Sequence, residues 1–147
     1  MRTLLFYILL TLFLTGCATY RQPNLISSTP LDMTHSKNEA ENYWVAAKFV
    51  APKYPRSLAK AKITGCSRFK ISITSEGKTI NAELLETYPT DAFIETSMNV
   101  INKWTWKPTP ENKARLEITR MVQMDFYMPD AINYEQAKRH CTVGTQF

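Results

Sequence analysis

Three cysteines and two histidines carry most of the nucleophilic, redox and ligand chemistry available to this chain, and their spacing sorts them. Cys17 closes a thirteen-residue apolar run, Thr3 to Thr15, that follows Arg2 and ends on small Gly16. A positive start, a short apolar stretch and a small residue make a cleavable export signal, here ending on a thiol in place of Ala-x-Ala. The run is short for a hydrocarbon core that needs roughly 17–25 residues, so a retained membrane helix is the weaker reading. Cleavage before Cys17 would leave its thiol at the mature N-terminus. Cys66 and Cys141 then remain as an even pair in an oxidising compartment, and the simplest reading is one disulfide. It would close a loop of about 75 residues, for which the chain-entropy model gives roughly 4 kcal/mol. The competing use of Cys141, as a metal ligand or nucleophile beside His140, lacks a CxxC or a second ligand at zinc spacing. No metal site is expected, and no cofactor other than a covalent lipid on Cys17.

Catalysis is not expected either. A general acid–base site needs titratable groups gathered in a cleft. His35 falls in a polar stretch and His140 in the tail, while Glu83, Glu86, Asp91 and Glu95 sit naturally in a hairpin, a cap and a helix surface. Four glycines in 147 residues leave no phosphate-cradling loop.

Removal of residues 1–16 leaves room for one domain and a tail. The net charge is +5, one less without Arg2, and it is uneven. Lys48, Lys53, Arg56, Lys60, Lys62, Arg68 and Lys70 fall in one stretch that contains no acid. Behind an export signal such a stretch excludes nucleic acid as the natural partner and points to anionic lipid, peptidoglycan, an acidic protein segment, or simply a solvated face. Lys53, Arg56, Lys60 and Lys62 form the candidate basic face.

The elements that would position these residues follow from periodicity. Residues 17–44 are polar and irregular and read as a lipidated cysteine with a flexible tether, about 25–30 Å in root-mean-square reach. Pro55 suits the first position of a short helix running to about Lys62, with Leu58, Ala59 and Ile63 inward and Gly65 as its stop. Phe69, Ile71 and Ile73 alternate with Arg68, Lys70 and Ser72 as in a half-buried strand. A tight turn at Ser75–Lys78 leads to a second strand, Thr79 to about Thr87, with Ile80, Ala82 and Leu84 on one face. A helix capped by Asp91 follows, its inward stripe being Phe93, Ile94, Ser97, Met98, Ile101 and Trp104, until Pro108 and Pro110 forbid continuation. Trp104 and Trp106 should point different ways, core filling being the favoured role. Leu116, Ile118, Val122, Met124, Phe126 and Met128 then mark a long strand with one buried face, interrupted by Arg120. Residues 130–147 form an extension in which Asn133–Arg139 suits a helical turn or two.

In this order, the residues resemble the C-terminal domain of the TonB family of energy transducers. The likeness rests on Pro52-x-Tyr54-Pro55 followed by Ala59 and Gly65, on the Gly65 to Gly77 spacing, on Trp104-x-Trp106-x-Pro108, and on the final amphipathic strand. It implies an α+β fold over residues 45–129, a three-stranded antiparallel sheet packed with two helices in the order α-β-β-α-β. It also implies a function: the last strand, at a sheet edge, takes an extended partner peptide as an added strand. Carried over, Glu117, Thr119, Met121, Gln123, Asp125 and Tyr127 mark the docking edge, and Tyr54 a second contact.

Leu14-Thr15-Gly16-Cys17 resembles the lipobox of bacterial lipoproteins, where Ala18 after the cysteine implies outer-membrane sorting with the domain facing the periplasm. The chain departs from force-transmitting members of the TonB-like group in lacking an inner-membrane helix and a long proline-rich spacer, and in carrying Ala51 where glutamine is common. The expectation is a lipid-anchored adaptor or assembly component of an envelope complex. Alternatives are a peptidoglycan- or anionic-lipid-binding lipoprotein and an inhibitor of an envelope hydrolase. Homodimerisation by strand pairing stays open, as does occupation of the docking edge by the C-terminal tail.

Overall fold

Phe69, Ile71 and Ile73 are fully buried at the centre of the protein because their strand is paired on both sides and covered on one face by a helix. The computed structural model describes residues 29–141; the signal segment, Cys17 and the first part of the expected tether lie outside the described residues. In chain order the elements are β1 (Leu31–Asp32), α1 (Lys37–Tyr43), β2 (Trp44–Lys48), α2 (Arg56–Lys60), β3 (Gly65–Ile73), β4 (Thr79–Tyr88), α3 (Ala92–Ile101), β5 (Thr105–Pro108), a 3-10 turn at Pro110–Asn112, β6 (Ile118–Phe126) and α4 (Tyr134–Cys141). A four-stranded sheet has the order β1-β6-β3-β4, and β2 pairs with β5 in a second, two-stranded sheet. Strand β3 is antiparallel to β4 and β6, whereas β1 runs parallel to β6.

The expected order survives as α2-β3-β4-α3-β6, but the three-stranded sheet is part of a larger arrangement. The reason lies in residues expected to be tether. From Leu31 to Tyr43 they form β1 and α1, with Met33 at 7% exposure and Ala40 at 0%. Their apolar residues are too sparse to give a period, yet each docks on a core that the rest of the chain has built. Trp44, fully buried, continues this path into β2, and its indole N–H donates to the Leu116 carbonyl at 2.8 Å.

Several local expectations are corrected by backbone geometry. Helix α2 ends at Lys60, and the left-handed residue that stops it is Lys62 (φ 54°), with the Ile63 N–H reaching back to the Leu58 carbonyl at 2.9 Å. Gly65 serves the sheet instead: a Cβ there would stand 2.0 Å from the Tyr88 carbonyl oxygen. Gly77 does take the positive φ of the turn, 75°. Asp91 precedes α3 already in helical conformation and makes no side-chain cap bond. Met98 lies on the outer side of that helix at 38% exposure, and Val100 fills the stripe with Phe93, Ser97 and Ile101. In β4, register shifts opposite Arg68–Phe69 and Lys70–Ser72 break strict alternation. Ile80 and Leu84 therefore remain 42% and 40% exposed.

The two later tryptophans are both core residues, as favoured, and each finds an acceptor inside. Trp104 Nε1 donates to the Val50 carbonyl at 2.9 Å, and Trp106 Nε1 to Thr79 Oγ1 at 2.8 Å. A buried Ser67–Ser97 hydroxyl pair, 2.7 Å apart, ties β3 to α3. On the opposite face of the sheet the polar C-terminal segment forms α4, bonded through Cys141 to Cys66 with Cα atoms 5.7 Å apart. The expected disulfide is present, and it closes a 75-residue separation. Replacing both cysteines, Cys66→Ser with Cys141→Ser, should lower unfolding free energy by roughly 3–4 kcal/mol in a urea titration, through the enlarged unfolded ensemble.

Candidate functional site

Nine consecutive residues of β6 pair with β3 without a register shift, from Gly65↔Phe126 to Ile73↔Ile118. In such an uninterrupted antiparallel ladder, alternate residues turn both backbone groups to one neighbour and the residues between turn theirs to the other side. The outward set is fixed by β1: the Leu31 N–H donates to the Glu117 carbonyl at 2.9 Å, and the Met33 N–H to the Thr119 carbonyl at 2.8 Å. Met121, Gln123 and Asp125 continue that set. Among the described residues, no strand pairs with them on the outer side, since β1 meets β6 only at Ile118 and Thr119. The sheet thus presents a stretch of open backbone between the end of β1 and the end of β6.

The other border is less suitable for receiving a strand. Its β4 backbone is interrupted by the two bulges and by Asn81 at φ 52°. Bulges twist an edge and break the regular spacing that an added strand needs.

The side chains expected to contact a partner are distributed differently from the backbone edge. Glu117 Oε1 accepts the Ser75 N–H at 3.2 Å and so holds the β3–β4 turn. Thr119 donates its hydroxyl to Asp32 Oδ1 at 3.2 Å. Gln123, expected at the surface, is 1% exposed beneath α4. Its Oε1 accepts from Arg68 Nε and Nη2 at 3.1 and 3.0 Å, and its Nε2 donates to Asp125 Oδ1 at 2.7 Å and to the Cys141 carbonyl. Arg68 also donates to Glu86 Oε2 at 2.8 Å, so this network spans β4, β3, β6 and α4. Gln123 therefore fastens the tail to the back of the sheet, and only its backbone belongs to the edge. His140 stacks on Tyr88, ring centroids 4.3 Å apart, at the far side of the same cover. Helix α4 accordingly lies across the back face, and among the described residues no part of the tail pairs with the β6 border, whereas the leading segment β1 occupies its first positions.

Tyr127 is 61% exposed and meets Tyr134 edge-on, with centroids 5.8 Å apart. Tyr54 is half-buried where β6 ends. Its hydroxyl donates to the Ile63 carbonyl at 2.7 Å, its ring meets Phe93 and Phe126 edge-on, and burial raises its pKa. It is a pillar of the core with one side at the surface. Of the basic face, Lys62 pairs with Asp130 at 2.7 Å, while Lys53, Arg56 and Lys60 are exposed with no acid within 4 Å among the described residues.

Two features of the site escaped the sequence. The first is β1, whose only sign was the short alternation Leu31-Asp32-Met33-Thr34. The second is Arg120, which merely interrupted an apolar series. Its side chain is 4% exposed, its guanidinium lies 5.1 Å from the Trp106 ring centroid, and Glu41 of α1 approaches to 4.0 Å. Its Nε has no hydrogen-bond partner, and burial pulls its pKa down against the opposing pull of Glu41.

A family model for the C-terminal domain of the Gram-negative bacterial TonB protein matches residues 50–128. The chain belongs to that family. The solution NMR structure of the Pseudomonas aeruginosa TonB CTD is similar in fold, with a TM-score of 0.51 at 20% identity, covering 70% of this chain and 98% of that one. No curated protein sequence matches. Membership makes the TonB-like core an envelope protein-interaction module on the periplasmic side. Strand β1, helix α1, strand β2 and helix α4 lie outside the residues that the family model matches.

The polar network under α4 gives a pH test. Although Asp125 as a residue is exposed, partial desolvation of its carboxyl raises the pKa above the ordinary carboxylate value, with Gln123 and Arg68 opposing. The folded state then binds more protons than the unfolded one between the two pKa values, so this group favours folding below the ordinary value and less so as pH rises through the raised one. Asp125→Asn should be as stable as wild type or more so at neutral pH, with the difference shrinking as pH falls through the carboxylate range in thermal melts.

Proposed function

We propose that this protein is a lipid-anchored adaptor of the periplasmic face of the outer membrane, which grips an extended segment of an envelope protein as an added strand on β6. The observation that carries the reading is the outward backbone of Met121, Gln123 and Asp125 beyond the end of β1, which has no strand partner among the described residues. Strand addition supplies affinity through main-chain hydrogen bonds, each worth about 0.5–1.5 kcal/mol net, and leaves specificity to alternate side chains. Acylation of Cys17 would hold the domain at the membrane.

The exposed cations Lys53, Arg56 and Lys60 support a second reading, attachment to peptidoglycan or anionic lipid. The two readings separate in one strain. A photoreactive amino acid at Met121 in the full chain should capture a defined envelope protein, and Cys17→Ser should abolish both palmitate labelling and membrane fractionation. A Lys53→Gln/Arg56→Gln/Lys60→Gln variant should keep the Met121 adduct. Capture of a second copy of this chain would indicate strand-paired dimers instead. Absence of any adduct, together with loss of peptidoglycan sedimentation in the triple variant, would favour the basic face.

A further inference from the structure

We infer that β1 is a self-supplied substitute for the partner strand, seated on the first part of the β6 edge, and that an incoming segment must displace it to gain the full border. The inference rests on the reading of β6 as the docking strand. It deepens that reading by naming a built-in competitor and the kind of sequence that replaces it.

The contacts of β1 are those of a bound peptide. Its backbone donates from Leu31 and Met33 to the outward carbonyls of Glu117 and Thr119. Between these residues, the Asp32 carboxylate receives the Thr119 hydroxyl at 3.2 Å, with Lys70 4.0 Å away on the neighbouring strand β3. The Thr34 N–H and hydroxyl also donate to Asp32, at 3.0 and 2.7 Å, and these bonds lower the Asp32 pKa. Met33 turns inward to 7% exposure, whereas Leu31 stays 46% exposed. The chain leaves the edge at once through a turn at Thr34–His35 and enters α1.

This seating is specific yet weakly held. A two-residue ladder, the Asp32 carboxylate contacts with Thr119 and Lys70, and one buried methionine side chain secure β1, whereas β3 is held along nine residues of β6. Segments with so few buried contacts open locally at a small fraction of the global unfolding free energy. The element that follows is also an imperfect fit. Glu41 of α1 stops 4.0 Å from Arg120, beyond hydrogen-bond range, and leaves Nε unpartnered. A segment able to continue past Thr119 would gain the open groups of Met121, Gln123 and Asp125, which β1 abandons. The occupant that fits is an extended peptide running parallel to β6, with an acidic residue opposite Thr119 and Lys70 and an apolar residue directly after it.

The test uses the full acylated chain with a photoreactive residue at Met121, in detergent and in cells. Leu31→Pro with Met33→Pro removes both β1 donors and leaves β6 untouched. The probe in detergent is a biotinylated peptide of this chain's own residues 29–36. The proline variant should capture the probe at least ten-fold more than wild type, and a probe with lysine in place of its aspartate should be captured several-fold less. In cells, the adduct with the envelope partner should rise in the same variant. If the proline variant fails to retain the Cys66–Cys141 bond, Asp32→Ala with Thr34→Ala, which removes only the carboxylate anchor, serves in its place and should show the same direction. Equal probe capture with β1 intact and weakened would overturn the inference. Probe capture that follows β1, without any cellular adduct, would sustain β1 as a competitor and overturn the proposed partner docking.

Discussion

The unbroken antiparallel ladder between β3 and β6 is the constraint on which the rest of this structure depends. Because nine residue pairs succeed one another without a bulge, every backbone group of β6 is assigned a side, and every side chain a face. Ile118, Val122, Met124 and Phe126 go inward with Phe69 and Ile71, which secures the ladder by burial. The intervening residues face the back of the sheet and send their backbone groups toward the border. A single bulge, such as the two in β4, would have broken this correspondence. The same regularity that stabilises the core therefore leaves alternate hydrogen-bonding groups on the border open.

The segments on either side of residues 50–128 meet that geometry on different surfaces. Helix α4 covers the back face, where the disulfide and the Arg68–Gln123–Asp125 network hold it with polar contacts satisfied on both sides. Segment β1–α1 covers the front end of the border and closes the core over Ala40 and Trp44. Between them, no strand among the described residues pairs with the outer side of β6. A buried guanidinium at Arg120, half-compensated by Glu41 and the Trp106 face, marks where the front cover fits least well. Incomplete compensation of a buried charge costs stability.

Much of this was legible in the sequence where a period was sustained. Alternation marks strand β3, a 3.6-residue stripe marks helix α3, and parity marks Cys66 with Cys141 once Cys17 is assigned to an export signal. The misplacements have physical causes. Lys62 could stop α2 because a single left-handed residue closed by backbone bonds needs no glycine, which freed Gly65 for a close approach to Tyr88. Gln123 read as a surface residue because nothing in the local pattern reveals that a helix eleven residues further on will roof it. Strand β1 was hidden because two residues carry no period; its place is set by the edge it joins.

Amide hydrogen exchange along β6 in the full chain tests the central claim most directly. If the border is open, the N–H groups of Met121, Gln123 and Asp125 exchange orders of magnitude faster than those of Val122 and Met124, which donate into the ladder with β3. Uniformly slow exchange from Met121 through Asp125 would mean that the border is already paired, and would contradict the account.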